Sequence, residues 1–253
     1  MKGRNRVLKA ASLAAALAAV ILAWALAAAM AARPFLPSPW SSAARLAGRM
    51  ADGSLALHLG ASARRVGLAL LFAGPAAAAL GLASGRSKRL DAFVSPFVYL
   101  LHPLPKIAFL PIIMLVLGLG DAAKVFLIAL IIFGQVLVSA RDAARAVPDA
   151  LIESMRSLGA GSVAVARHVV FPSALPALLS ALRVSLGTAI AVLFIAESFA
   201  SETGLGWYIV DAWTRIDYVD MYAAILALAL FGLAAYLLID AAEAYLCRWR
   251  DVD

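Results

Sequence analysis

The chain has 253 residues, 64% of them hydrophobic against 15% charged, with a mean hydropathy of +0.92. A soluble domain is nearer half apolar and a quarter charged, so this composition excludes an ordinary water-soluble globule and points to a polytopic membrane protein. The formal charge of +7 sits in short connections between apolar runs, a topology signal rather than a groove for nucleic acid.

Lys2, Arg4, Arg6 and Lys9 precede an apolar run over 10–32. Ala29-Met30-Ala31 resembles a signal cleavage site, yet signal cores are usually about 7–15 residues and this run has the length of a span. The favoured reading is a retained first helix with a cytoplasmic N-terminus. Residues 33–53, with Pro34, Pro37 and Pro39, read as an external loop, so 1–54 forms an N-terminal unit.

A second helix is predicted over 55–84. Arg64 and Arg65 near its start read as snorkelling to the outer interface or facing a water-filled path. Gly67, Gly74 and Gly81 recur every seven residues, placing small residues where a second helix can approach. Pro75 predicts a kink. Gly85-Arg86-Ser87-Lys88-Arg89 is a short basic connection, hence cytoplasmic. The third segment, 90–119, is broken by Pro103, Pro105 and Pro111. Broken helices persist at membrane depth only where they are buried in protein or line a cavity. After a turn over Gly118–Asp121, a fourth helix covers 122–140.

A polar island of about forty residues then interrupts the apolar runs. Pro148 suits a first helical position, and a short helix can run to Leu158 and stop at Gly159, where glycine takes the left-handed conformation cheaply. Ser162 can cap a second short helix, with Phe171-Pro172 as its stop. Leu151, Met155 and Leu158 form an apolar stripe, rimmed by Asp149, Glu153, Arg156 and Arg167. The stretch reads as a compact knob on a membrane face.

The fifth helix is predicted over 177–200 and the sixth over 221–246. Between them, Ser201–Gly206 and the aromatics Trp207, Tyr208, Trp213, Tyr218 and Tyr222 fit two readings: an interfacial aromatic belt, or a re-entrant helix shaping the outer mouth. With both termini inside, fourteen of the 22 Lys and Arg residues fall on the cytoplasmic side, which sets the orientation.

Chemistry is sparse. Cys247 is alone, and His58, His102 and His168 are scattered, so neither a disulfide nor a metal site is expected. No Walker phosphate loop, Gly-x-Ser-x-Gly elbow or carboxylate pair stands out, so no catalytic residue and no bound ATP are expected in this chain. Glu197, an acid inside an apolar helix, and Lys106, between Pro105 and Ile107, are the two buried-looking charges. Intramembrane charges usually face a bundle interior or a wet cavity, so both are candidates for a translocation path and for pairing with each other. A structural acid bonded to a neighbouring helix is an equally good account of Glu197.

Glu153, Gly159 and Pro172, with Val169 and Phe171, fall at the spacing of the cytoplasmic loop of binding-protein-dependent ABC importer permeases. Ser154 and Met155 stand where that pattern has two alanines. The segments Pro103–Pro111, Gly118–Asp121, Leu182-Arg183, Ala196-Glu197 and Gly204–Trp207 resemble the nitrate/sulfonate/taurine branch of this family. The likeness covers roughly 55–250. It implies an all-α membrane protein with about six transmembrane helices in the type I importer permease fold, a core over 55–250 and a coupling loop over 141–176. It also implies that Glu153, Ser154, Met155, Arg156, Leu158, Gly159, Ala160 and Pro172 carry the contact with an ATPase cleft. Implied partners are two ATPase subunits holding ATP and magnesium, an external binding protein, a second permease copy as a homodimer, and membrane lipid, with no nucleic acid. The implied location is the bacterial inner membrane. Substrates of the branch are small anions, sulfonates or heterocyclic vitamin precursors. Two readings from other classes stand beside it: a secondary transporter driven by an ion gradient through Glu197, and a non-transporting membrane scaffold.

Overall fold

The computed structural model describes residues 2–101, 103–199 and 201–251. His102 and Ala200, the expected end of the fifth span, lie outside them, as do the side chains of Lys2, Arg4, Arg6 and Lys9. All regular elements among the described residues are helical. They are α1 (Lys2–Ala31), α2 (Pro39–Ala51), α3 (Ser54–Arg86), α4 (Lys88–Leu101), α5 (Leu110–Leu117), α6 (Asp121–Arg145), α7 (Asp149–Ser157), α8 (Ser162–Val165), α9 (Phe171–Ser198), α10 (Leu205–Thr214) and α11 (Tyr218–Leu246).

Four helical stretches are long and apolar enough to cross a membrane: α3, α6, the continuous rod Ser162–Ser198 and α11. Two shorter apolar stretches accompany them, Ala15–Ala31 of α1 and Lys106–Leu117. The expected broken segment is α4, a 3-10 turn over Lys106–Phe109 and α5. Pro105 precedes the turn and Pro111 lies in the first turn of α5, where a missing N–H costs little. The chain is therefore a multi-pass membrane protein of the architecture expected from its sequence.

The core is α3, α6 and α9. Val66, Ala69, Ala73 and Ala77 recur at helical spacing on α3 and pack with Leu127, Ile128, Ile132 and Val136 of α6 and Leu186, Ala189 and Leu193 of α9. Small residues bring α3 and α6 together at one end: a Cβ on Gly81 would lie 2.6 Å from the Leu137 carbonyl, and one on Gly85 would strike Arg141 and Ala144. The seven-residue glycine pattern is thus only partly a contact face. A Cβ on Gly74 would meet Leu182 at 3.4 Å, while one on Gly67 would meet nothing within 4 Å.

Two expectations change. The loop over 33–53 contains α2, whose Pro39 occupies the first turn while the Ser38 hydroxyl caps it by accepting the Ser41 N–H at 3.2 Å. Three prolines in six residues look like loop, but the last is a helix starter. Phe171-Pro172 also fails to stop a helix. Residues Ala166–Val170 form one π turn, in which the Phe171 N–H reaches the Ala166 carbonyl five residues back. That wider turn absorbs the proline, so α8 and α9 run on as one 37-residue rod.

Candidate functional site

Functional side chains gather at the two ends of the bundle. At one end stands the knob. Pro148, in extended conformation, leads into α7, whose first residue is the acid Asp149. The helix closes at Leu158, and Gly159 takes φ +84°. The Gly159 N–H donates to the Arg156 carbonyl at 2.9 Å and the Ala160 N–H to the Met155 carbonyl at 3.1 Å. These two bonds define a Schellman cap, which satisfies carbonyls otherwise left open. Gly159 therefore stops the helix as its sequence position implies.

Ile152, Val165, Val169 and Val170 are buried together with Ala144 and Val147, and Met155 and Ala160 pack against them. The knob thus has its own small core, continuous with α3 through Leu82 and with α6 through Ala144. Outward it presents Leu151 (49% exposed) and Leu158 (83% exposed), with Glu153, Ser154 and Arg156. The expected stripe of Leu151, Met155 and Leu158 is split: Met155 is half-buried beside Ile152, because a position 40° from Leu151 around the helix lies on the boundary of the inner face. Pro172 lies in the π-to-α transition rather than on the outward face. Around the knob, Asp91 of α4 takes Arg141 at 2.7 Å and also Arg145, and Arg86 of α3 takes Asp149 at 2.8 Å. These ion pairs fasten α4 to α6 and α3 to α7.

At the opposite end, Glu197 is fully buried. The Ser62 hydroxyl lies 2.9 Å from each of its carboxylate oxygens, the Gly206 N–H donates to Oε2 at 2.9 Å, and Arg65 Nη1 lies 2.6 Å from Oε1. The same guanidinium donates to Asp121 Oδ1 from Nε at 2.8 Å, to the Thr203 carbonyl at 2.9 Å and to Thr203 Oγ1 at 3.0 Å. Arg64 is exposed and pairs with Asp121 from outside. Lys124, also buried, donates to the Leu119 carbonyl at 2.9 Å. Gly204, at φ +115°, and Gly206 lie so close to Glu197 that a Cβ on either would collide with it. Leu205 and Gly206 open α10, which folds back so that Leu205, Tyr208, Ile209 and Ala212 are buried. The segment is thus helical and packed into the bundle on one face, with Trp213 exposed on the other. Trp207 stacks on His58, at 5.1 Å between ring centres.

Beside it, Arg49 of α2 grips Asp220 of α11 through two bonds, at 2.9 and 3.0 Å, and Tyr208 donates to the same carboxylate at 2.9 Å. Arg45 pairs with Asp217 at 3.0 Å. Burial, and then the bond to Asp220, push the Tyr208 phenol up to about 12, so it stays a donor.

The pairing expected between Lys106 and Glu197 is not made: Glu197 is held by Arg65, Ser62 and Gly206. Arg65 neither snorkels nor faces a path; it is the counter-ion. Its signal in sequence was its place in the span, near the same end as Glu197, with Ser62 one turn before it. Lys106 instead lines a separate hollow of about 310 Å³ with Ile131, Gln135, Thr188 and Val192. There the Gln135 amide and Thr188 hydroxyl lie 3.4 Å apart.

Residues 75–251 match the family described as binding-protein-dependent transport system inner membrane component. Among similar proteins, the taurine transport system permease protein of Escherichia coli (strain K12) is 33% identical over 199 residues, which is 79% of this chain and 72% of that one. A putative aliphatic sulfonates transport permease protein of Bacillus subtilis (strain 168) is 30% identical over 216 residues, 85% of this chain and 78% of that one. The riboflavin transport system permease protein of Chloroflexus aurantiacus is 33% identical over 161 residues, 64% of this chain and 60% of that one.

Proposed function

The chain belongs to the family of inner-membrane components of binding-protein-dependent transport systems, and we propose that two copies of it form the translocation path of an ATP-driven importer for small sulfonates such as taurine. The observation that carries this reading is the knob: an exposed apolar pair, Leu151 and Leu158, on a helix fixed by its own core and closed by Gly159. The substrate class is supported by the names of the taurine and sulfonate relatives.

In this reading the outward face of α7, with Glu153, Ser154, Arg156, Leu158 and Gly159, seats in a cleft of an ATPase subunit, while Met155, Ala160 and Pro172 support it from within. Two such subunits bind ATP and magnesium; this chain binds neither. Their closure moves the knobs. Because α7 is tied to α3 through Arg86 and continues into the α8–α9 rod, the motion reaches the opposite end as a rigid-body rotation that alternates access. The external binding protein delivers substrate there, beside α2 and α10. Sulfonate then passes the hollow lined by Lys106, Gln135 and Thr188, where the ammonium balances its charge at a depth at which water is scarce. Both termini lie on the knob side, in the cytoplasm of a bacterial cell.

The test is purification of the tagged chain from native membranes in mild detergent with its companions identified. An ATPase subunit that accompanies the wild-type chain and is lost from Gly159→Val supports the reading, since a β-branched residue resists φ +84°. A chain that emerges alone and transports in sealed vesicles under an ion gradient overturns it.

A further inference from the structure

Where the knob meets the span, a groove of about 540 Å³ runs between α3 and the start of the α8–α9 rod. Its floor is apolar, with Ala79, Ala83 and Phe171. Its mouth holds three guanidinium groups, Arg86, Arg156 and Arg167. Arg86 is shared with Asp149 at 2.8 Å, whereas Arg156 and Arg167 are exposed and form no ion pair among the described residues. The first turn of the rod, at Ser162 and Val163, lines the same mouth and carries no side-chain cap. From Arg86 back to Ala79 is seven residues, or about 10 Å along α3, a helix long and apolar enough to cross a membrane.

We propose that this groove is a specific site for an anionic phospholipid of the knob-side leaflet, with the phosphate on Arg167 and the open N-terminus of the rod and an acyl chain along Ala79, Ala83 and Phe171. The chemistry is complementary at both ends. A guanidinium and uncapped N–H groups are suited to phosphate, and an apolar channel running into the bilayer is suited to a chain already anchored there. A free anion would use the mouth and leave the floor empty. A protein partner approaching from the aqueous side would reach Arg156 but not Ala79. The inference goes beyond the transport reading, and its outcome is read from lipid rather than from uptake.

The probe is phosphatidylglycerol. The full transporter, with whatever companions it retains, is placed in nanodiscs of phosphatidylcholine containing one-tenth phosphatidylglycerol, and lipid bound per chain is counted by native mass spectrometry. Wild type is expected to retain phosphatidylglycerol selectively and to keep it in millimolar glycerol phosphate. Arg167→Gln is expected to lose about tenfold in retention, as removal of a charge-assisted contact implies. Ala83→Phe, which keeps every charge and blocks the floor, is expected to lose it too, and Arg167→Lys to restore part of it. Equal retention in both variants overturns the site. So does release by glycerol phosphate, which marks a free-anion site. Retention seen only after companion subunits are stripped overturns it as well, by assigning Arg167 to a protein contact.

Discussion

Gly204 shows how tightly the end away from the knob is built. Its φ of +115° is open to glycine, and its Cα faces the Glu197 carboxylate and the Arg65 guanidinium. Gly204→Ala must both strain the backbone and push apart a buried ion pair, so a loss of about 2–4 kcal/mol is expected, read as a lower melting temperature of the purified protein. Arg65→Met leaves Glu197 buried without its cation. Removing one partner of a buried pair costs about 3–5 kcal/mol, and this variant is expected to fold poorly unless Glu197 is neutralised with it. Melting of Arg65→Met against Arg65→Met/Glu197→Gln checks this: the double variant should be the more stable. Equal stability would show that Asp121 and Thr203, not Glu197, are what Arg65 serves. Tyr208 gives a pH signature. Its folded value of about 12 lies above the ordinary tyrosine value of about 10, so the folded state holds the proton more tightly. Its contribution is complete below pH about 10 and lost as pH rises towards 12; Tyr208→Phe should flatten that alkaline fall in melting temperature.

Among the elements, α7 and α10 end in the same way and differ in the residue at the turn. After α10, the Ile216 N–H donates to the Trp213 carbonyl and the Asp217 N–H to the Ala212 carbonyl, the Schellman pattern again, but Ile216 holds φ +59°. A β-branched residue there is strained. Ile216→Gly is expected to stabilise the chain by about 1 kcal/mol, seen as a raised melting temperature; an unchanged or lowered value would mean that the exposed isoleucine has a contact worth more than the strain. The knob was legible because its signals are local: Gly159 stops a helix without reference to the rest of the chain. Pro148, however, lies one residue before the helix rather than at its first position, and Ser162 opens the second helix without capping it. The α2 helix was missed because a proline reads as loop until its position in the turn is known. Pro172 was misjudged for a related reason, since whether a proline ends a helix depends on the hydrogen-bond register before it, which five apolar and basic residues, Ala166–Val170, do not advertise. The Glu197 partner was misassigned because pairing across helices depends on depth and rotation, and the true partner, Arg65, is farther away in sequence than Lys106.

At the scale of the molecule, four long spans, two shorter apolar segments, their order and the position of the knob follow from hydropathy and basic connections. What needed the structure is how the ends are fastened. Lys106→Met separates the two ends in function: because Lys106 lines a hollow away from the knob, the variant is expected under the proposed function to leave the ATPase bound and to reduce sulfonate uptake about tenfold or more, whereas Gly159→Val removes both. Uptake measured in cells, with ATPase recovery measured on the same membranes, tests that split.

The rod Ser162–Ser198 spans about 55 Å at 1.5 Å per residue. As a stiff beam pivoting near its middle, it would turn a 5° tilt at the knob into roughly 2 Å of sideways travel at Glu197, by the same geometry. A hydrogen bond of 2.6–2.9 Å does not survive 2 Å of stretch. Either Ser62, Arg65 and Gly206 ride with the beam tip, or the contacts part at every stroke; the transporter has a mechanical fuse or a welded joint at that point, and the melting of the Arg65 and Gly204 variants with and without nucleotide would tell which.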